Sequence, residues 1–306
     1  MINLKTITED YLDFCQNHKR LNAKTLKAYR TDLTQFQKHL RVTRISQITS
    51  EKLESFISML HQTYKPRTSK RKIASLKAFF RYLEYRDMIS LNPLNRIQTK
   101  FREPVTLPKI IPLHTIEKLL STMYSQRTLA KTKYQKKYIL RDIAVIELLF
   151  STGIRVSELC SLKPADIDLY EKSILIYGKG AKERKIQIGN HSVVSVLYEY
   201  QQAFLAEINS CGCFFVNRLK NRLSEQAVRE IITKYARIAG IRQHITPHMF
   251  RHSFATYLLE ADVDIRYIQQ MLGHSSIHIT EIYTHVAMSK QKEILTKKHP
   301  RRNFLI

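Results

Sequence analysis

The sequence has no long apolar run. No stretch of about 18 or more apolar residues, the length that crosses a bilayer as a helix, occurs in the 306 residues. The first ten residues include Lys5, Glu9 and Asp10 and lack the apolar segment of a secretory signal. We therefore expect a cytoplasmic protein with no membrane partner.

Cysteine is scarce as well. The four cysteines, Cys15, Cys160, Cys211 and Cys213, are too few and too scattered for a disulfide framework, which favours an intracellular, reduced protein. The pair Cys211-Gly-Cys213 has no second Cys or His pair at zinc-finger spacing. The sequence therefore predicts no metal site.

Acidic residues are few relative to basic ones. Lys and Arg total 51 against 26 Asp and Glu, which gives a net charge of +25. Up to Ile97 the chain has 19 basic and 8 acidic residues, and after it 32 and 18, so both parts are basic. This distribution favours a polyanion that touches both parts, such as duplex DNA, over a membrane patch. The alternative is a basic protein from a lysine-rich proteome.

Up to Ile97 the apolar residues recur at spacings of three and four, the period of an amphipathic helix. The pattern predicts four helices and almost no strand. The third is expected to begin near Ser50, where an N-cap residue precedes acidic Glu51. The fourth is expected from about Thr68 to Arg86. Its apolar face consists of Ile73, Leu76, Phe79, Phe80 and Leu83.

The opposite face of the fourth predicted helix is basic. Its cations are Lys70, Arg71, Lys72, Lys77 and Arg81. A similar cluster on the second predicted helix consists of Lys24, Lys27 and Arg30. Such faces are usually only solvated. Two of them in so basic a chain favour a surface that faces DNA.

Three prolines interrupt the helical pattern after the fourth helix. Pro104, Pro108 and Pro112 cannot lie inside a helix, and each restricts the residue before it to extended conformations. We interpret residues 98–112 as a linker. The predicted domains are then a DNA-binding domain over residues 1–97 and a catalytic domain over residues 113–306.

The second predicted domain is mainly helical, with one exception. Ser173–Tyr177 and Arg184–Ile188 are short runs rich in β-forming residues, joined by a glycine-containing turn. The pattern predicts a β-hairpin. A lone hairpin is not stable by itself, so we expect it to pack against the helices.

Four segments and one turn of this domain form a recognisable set. The segments are Thr152-Gly-Ile-Arg155-Val-Ser-Glu158-Leu159, His248-Met-Phe-Arg251-His252-Ser-Phe-Ala-Thr256, Leu272-Gly-His274-Ser-Ser and Ile282-Tyr283-Thr-His285, and the turn is Gly178-Lys179-Gly180. Their order and spacing resemble those of the tyrosine recombinase, or phage integrase, family. The length and two-domain layout are most similar to its Xer-type branch.

The resemblance implies a mainly α, two-domain DNA clamp. A four-helix, SAM-like core-binding domain would be followed by a mostly helical catalytic domain with a small β-hairpin or sheet. It also implies the catalytic residues, which are Tyr283, Arg155, Lys179, His248, Arg251 and His274.

The resemblance assigns a role to each of these residues. Tyr283 would cut DNA and hold it as a 3′-phosphotyrosine. Arg155 and Arg251 would stabilise charge on the phosphate, and Lys179 would protonate the departing 5′-oxygen. His248 and His274 would accept or donate protons. No metal and no other cofactor is expected, because the arginines take the place of a metal ion.

The resemblance also implies the partners. The protein would act on duplex DNA with specific recombination sites, through a Holliday junction. It would act as a homotetramer on two sites or together with a sister recombinase. Chromosome dimer resolution and integration or excision of a mobile element are both open as the biological outcome.

Several charged residues near these motifs are given other roles. Glu158 is interpreted as a structural partner of a cation or as a helix cap, and His252 and His285 as structural. Lys182, Arg184 and Lys185 are alternatives to Lys179, with contacts to the DNA backbone as the favoured role.

Two rival functions use other features of the sequence. Residues 254–274 have the pattern of a helix-turn-helix, which would suit a non-catalytic DNA-binding regulator. That reading leaves Arg155, Lys179 and Tyr283 without a role. A type IB topoisomerase would use the same chemistry to relax supercoils without a specific site.

Overall fold

The computed structural model describes residues 3–99, 109–178 and 183–273. The chain divides into two compact units, Met1–Val105 and Thr106–Ile306. Most of the predicted linker, residues 100–108, lies outside the described residues. No helix in the described part of the chain is long and apolar enough to cross a membrane.

The first unit contains the four predicted helices. They are α1 (Leu4–Asn17), α2 (Ala23–Leu40), α3 (Ser50–Thr63) and α4 (Pro66–Tyr85). The third begins at Ser50, near the predicted start, but its N-cap is Thr49 and not Ser50, because the Thr49 side chain accepts a hydrogen bond from the backbone N–H of Lys52. The fourth begins slightly earlier than predicted, with Pro66 in the first turn, where a missing N–H has no cost.

Aromatic side chains fill the core of this unit. Tyr11, Phe36, Phe56, Phe79 and Phe80 are each at most 1% exposed. Phe36 packs edge to face against Phe56 and Phe80, which is a preferred geometry for aromatic pairs. The apolar face predicted for the fourth helix therefore forms part of a single core.

The prediction that Lys72 faces DNA is wrong. Lys72 is only 5% exposed, and its Nζ donates to Asp32 Oδ1 at 3.0 Å. Asp32 also accepts from the Ser75 hydroxyl at 2.8 Å and pairs with Arg71. The physical reason is that Lys72 lies where α4 packs on α2, so that it compensates the buried charge of Asp32. Three other cations of that face, Lys70, Arg71 and Arg81, are exposed.

Eight helices build the described part of the second unit. They are α5 (Leu113–Leu129), α6 (Lys133–Thr152), α7 (Val156–Ser161), α8 (His191–Ala203), α9 (Leu205–Cys211), α10 (Glu225–Ile238), α11 (Pro247–Glu260) and α12 (Ile265–Leu272). Helix α6 is central: every residue of Ile143–Ile146 is fully buried. Four consecutive residues cover all sides of a helix, so this segment of α6 lies inside the core.

The predicted hairpin is confirmed and belongs to a three-stranded antiparallel sheet. Its strands are β1 (Ile167–Asp168), β2 (Ser173–Tyr177) and β3 (Glu183–Gln187), in that order. Ile174 pairs with Ile186 in the register of β2 and β3, and both are buried. The sheet thus packs on the helices as expected. Strand β1 was not predicted because two residues are too short to show an alternating pattern.

Candidate active site

A sharp turn after α6 places the first predicted catalytic arginine. Gly153 ends the helix in the left-handed conformation, with φ of +61°, and its N–H donates to the carbonyl of Leu149 at 3.1 Å. A β-carbon at Gly153 would lie 2.6 Å from a ring carbon of Phe254. Only glycine fits both the conformation and the space. Arg155 follows two residues later, as the N-cap of α7.

Glu158 holds Arg155 in two ways. The backbone N–H of Arg155 donates to Glu158 Oε2 at 2.8 Å, and Arg155 Nη1 donates to Oε1 at 2.8 Å. Burial would raise the pKa of Glu158, but hydrogen bonds from Arg184 and Arg155 outweigh it and lower the pKa below its usual range. Glu158 is therefore ionised at neutral pH, and its predicted role as a structural partner and helix cap is confirmed.

Arg184 is the second cation on Glu158. Its Nη2 donates to Oε2 at 2.7 Å and its Nη1 to Oε1 at 3.1 Å, a two-pronged geometry. The Arg184 side chain is only 10% exposed. The predicted contact of Arg184 with the DNA backbone is therefore wrong, because its guanidinium is committed to a buried carboxylate.

Arg251 lies on α11 and joins two other segments of the site. Its Nη1 donates to the carbonyl of Gly153 at 2.9 Å, and its Nη2 donates to the carbonyl of Leu272 at 2.7 Å. Arg251 is 5% exposed. The turn that precedes Arg155 and the end of α12 are thus bound to one guanidinium, whose charge is fixed before any ligand arrives.

His248 lies one turn before Arg251 on α11 and is not among the fully buried residues of that helix. Partial burial, followed by the positive charges of Arg251, Arg229 and Arg155, lowers the pKa of His248. These charges act on His248 because the structure brings His248, Arg155 and Arg251 into one region. A neutral imidazole among cations can accept a proton near neutral pH.

His252 lies one turn beyond His248 and also has a lowered pKa, caused by burial and then by His248 and Arg251. The unfolded chain therefore takes up protons on these two histidines at higher pH than the folded protein does. Since their ordinary pKa is about 6.5, acidification through that value favours unfolding.

We expect the melting temperature to fall between pH 7.5 and pH 5.5, and His252→Asn to make this fall smaller. Thermal denaturation followed by circular dichroism at both pH values measures the difference. His114→Asn, at an exposed position on α5, is the matched control. An undiminished fall in the His252 variant would contradict the prediction.

A cleft opens beside Arg155. Its lining includes Arg155, Tyr177, Lys185, Arg266, Gln269 and Gln270. The cleft is lined by four cations, since Arg184 also belongs to its wall, and by two carboxylates, Glu158 and Glu183. The Glu158 carboxylate is paired with guanidinium groups. The cleft therefore suits an anion such as a phosphodiester. No group of three or more His, Cys, Asp or Glu in the described ranges could hold a metal ion.

Three predicted catalytic residues, Lys179, His274 and Tyr283, lie outside the described residues. Gly178 and Gly273, the described neighbours of the first two, both line the cleft. Sequence reasoning missed the site roles of Gly153, Arg184 and Arg266. A signal for Arg184 was present, because Arg184 shares the strand face of the apolar residues Ile186 and Ile188.

Two family models match the chain. Residues 114–290 match the phage integrase family, and residues 8–87 match the phage integrase, N-terminal SAM-like domain. The second match confirms the SAM-like fold predicted for the four-helix part.

Named relatives match over almost the whole length. The chain is 59% identical to a tyrosine recombinase of Agathobacter rectalis over 304 residues, covering 99% of each protein. It is 36% identical to the tyrosine recombinase XerD of Listeria monocytogenes, covering 97% of this chain and 100% of that one.

A solved structure has the same fold. It is the XerH site-specific recombinase bound to palindromic difH substrate in a post-cleavage complex, with a TM-score of 0.76 and 23% identity. The match covers 95% of this chain and 84% of XerH.

Proposed function

This chain belongs to the phage integrase family of tyrosine-type site-specific recombinases, and we propose that it cuts and rejoins DNA through a 3′-phosphotyrosine on Tyr283. The observation that carries the proposal is the convergence of Arg155, Arg251 and His248. Arg251 is bound to the carbonyl of Gly153, two residues before Arg155, and both guanidinium charges act on His248. One of these arginines lines a cationic cleft.

The two arginines supply positive charge at the phosphate. A guanidinium stays ionised and matches two phosphate oxygens with its planar fork. Charge on the non-bridging oxygens grows in the transition state, so donors fixed in advance stabilise that state more than the ground state. A single preorganised donor contributes about 2.7–4 kcal/mol in acyl transfer. Hydrogen bonds from Arg155 to Glu158 and from Arg251 to two carbonyls provide such fixation.

The remaining proposed residues move electrons and protons. The Tyr283 oxygen forms a bond to phosphorus while the bond from phosphorus to the 5′-oxygen breaks. The phenol proton passes to His248 or His274, and Lys179 donates a proton to the departing oxygen. The phosphotyrosine conserves the bond energy, so a 5′-hydroxyl from another strand reverses the steps without ATP.

The division of labour follows the two units. We assign DNA binding to residues 1–97 and catalysis to residues 113–306, with residues 98–112 as the linker. Exposed Lys70 and Arg81 on α4 supply cations for the phosphate backbone. Recombination of two duplexes cuts four strands, and each chain offers one Tyr283, so four chains act together through a Holliday junction. A sister recombinase can provide two of the four.

The helices expected for the rival regulator are present as α11 and α12. Helix α11 carries His248 and Arg251, which belong to the catalytic group proposed here.

Trapping with SDS distinguishes a recombinase from a regulator. A recombinase leaves protein covalently bound to DNA, and a regulator does not. We expect the adduct to form in excess EDTA and on specific sites, which sequencing of the trapped DNA identifies. Relaxation of supercoils without a preferred site would point to a topoisomerase instead.

Lys179→Ala should cut ordinary DNA slowly and DNA with a bridging 5′-sulfur almost normally. A thiol has a pKa near 8.5, so the thiolate leaves with little need of a proton. Arg155→Ala is the matched control and should gain little from sulfur, because it acts on the non-bridging oxygens. Single-turnover cleavage of both substrates measures the two ratios. Equal rescue of both variants would exclude this assignment of roles.

A further inference from the structure

Arg184 connects three segments of the candidate site. It lies on β3, in the hairpin whose turn contains Lys179. Its guanidinium binds the Glu158 carboxylate near the start of α7, and its Nε donates to the carbonyl of Met271 in α12 at 2.8 Å. These segments lie far apart in sequence: Arg184 is 26 residues from Glu158 and 87 from Met271. One side chain thus fixes the relative positions of all three.

The three charges of this group differ in exposure. All three side chains line the cleft, but those of Glu158 and Arg184 are only 7% and 10% exposed, whereas that of Arg155 is 35% exposed. A buried carboxylate requires a compensating charge. Arg184, the less exposed of the two arginines, supplies it, and the more exposed Arg155 binds the same carboxylate.

We propose that Arg184 is a positioning residue that neutralises Glu158 and so leaves the Arg155 guanidinium available to the phosphate of the DNA. The proposal rests on the phosphate-binding role proposed for Arg155. In the described part of the chain, Arg155 is the other guanidinium bonded to Glu158. Without Arg184, the buried carboxylate attracts Arg155 with both oxygens, and the phosphate must compete with a fixed negative charge.

Arg184→Met tests this, because methionine keeps an unbranched chain without charge. At saturating DNA, its single-turnover cleavage of a nicked substrate should fall by at least about tenfold, the ratio that corresponds to 1.36 kcal/mol in the barrier. Arg184→Lys keeps the charge but not the fork and should be intermediate. Affinity for the site, measured without cleavage, should change less than the rate.

The decisive variant combines Arg184→Met with Glu158→Gln. Glutamine still suits the third position of the helix-capping box but carries no charge, so it no longer competes for Arg155. We expect the double variant to cleave faster than Arg184→Met alone. If Arg184 only stabilised the fold, the double variant should instead cleave more slowly than Arg184→Met, because Glu158→Gln removes further hydrogen bonds. A double variant no faster than the single one overturns the proposal.

The bridging-sulfur substrate identifies the residue through which Arg184 acts. Sulfur should not rescue Arg184→Met, because the defect lies at the non-bridging oxygens. Rescue comparable to that of Lys179→Ala would place the effect in the hairpin turn and overturn the proposal. If Arg184→Met does not fold, as thermal denaturation would show, Arg184→Lys with and without Glu158→Gln gives the same comparison. Failure of the parent protein to form a covalent adduct would instead refute the proposed function.

Discussion

Tyr283→Phe should abolish the covalent protein–DNA adduct. The change removes one hydroxyl, so the protein keeps its fold and its affinity for DNA but has no oxygen to attack phosphorus. We expect the rate of adduct formation to fall by at least about a thousandfold, which corresponds to roughly 4 kcal/mol in the barrier. A nicked substrate that releases the cut end, analysed on a denaturing gel, measures this rate.

Tyr170→Phe is the matched control for this experiment. Tyr170 is 90% exposed in the turn between β1 and β2, so the loss of its hydroxyl should leave adduct formation at the parental level. A covalent adduct formed by the Tyr283 variant would show that another side chain is the nucleophile. Loss of the parental adduct in EDTA would indicate a metal-dependent reaction.

Gly153→Ala should lower both stability and cleavage. The left-handed conformation costs a non-glycine residue about 1–2 kcal/mol, and overpacking typically adds about 1–3 kcal/mol. Here the added carbon would approach Phe254 to 2.6 Å and Leu272 to 3.0 Å. We therefore expect the free energy of unfolding to fall by roughly 2–5 kcal/mol. Denaturant titration measures it.

Gly240→Ala is the control for the backbone part of this effect. Gly240 has φ of +63°, close to that of Gly153, and an added β-carbon there meets nothing within 4 Å. Gly240→Ala should therefore lower the free energy of unfolding only by the cost of the left-handed conformation. If both variants lose the same free energy of unfolding, Phe254 moves aside for the added carbon without loss of stability, which would contradict the overpacking part of the prediction.

Cleavage provides a second comparison between the two glycines. The carbonyl of Gly153 accepts from Arg251, and Arg155 is two residues away. Displacement of this turn moves both proposed phosphate ligands, so Gly153→Ala should cleave more slowly even at a temperature where it is fully folded. Gly240→Ala should cleave at the parental rate.

The local pattern of apolar and turn residues was enough to predict the four helices of the first unit and the hairpin of the second. Four helices before Ile97 and the hairpin at Ser173–Tyr177 follow from apolar periodicity and turn residues, because neighbouring residues determine which face of an element is buried. Strand β1 was missed because its two residues are too few for a period. The observed start of a helix differs from the predicted one where a capping residue or a proline sets it, as at Pro66 in α4.

The partners of the charged residues did not follow from local pattern. Lys72 and Arg184 were both read as DNA-facing cations, and both are buried on carboxylates. Their partners, Asp32 and Glu158, are 40 and 26 residues away. The alternation of β3 indicates that Arg184 shares a face with the apolar residues Ile186 and Ile188, but local pattern cannot identify a partner that lies so far away in sequence.

The sequence by itself predicted the chemistry proposed for this protein. The resemblance of four motifs to those of tyrosine recombinases assigns catalytic roles to Arg155, Arg251, His248 and Tyr283, and these roles suit the functional groups that phosphoryl transfer needs. Only the tertiary structure decided which groups are preorganised. It bonded Arg251 to the carbonyl of Gly153 and gave Glu158 a second cation, Arg184. Such contacts arise where distant segments pack together, and burial makes an unpaired charge costly.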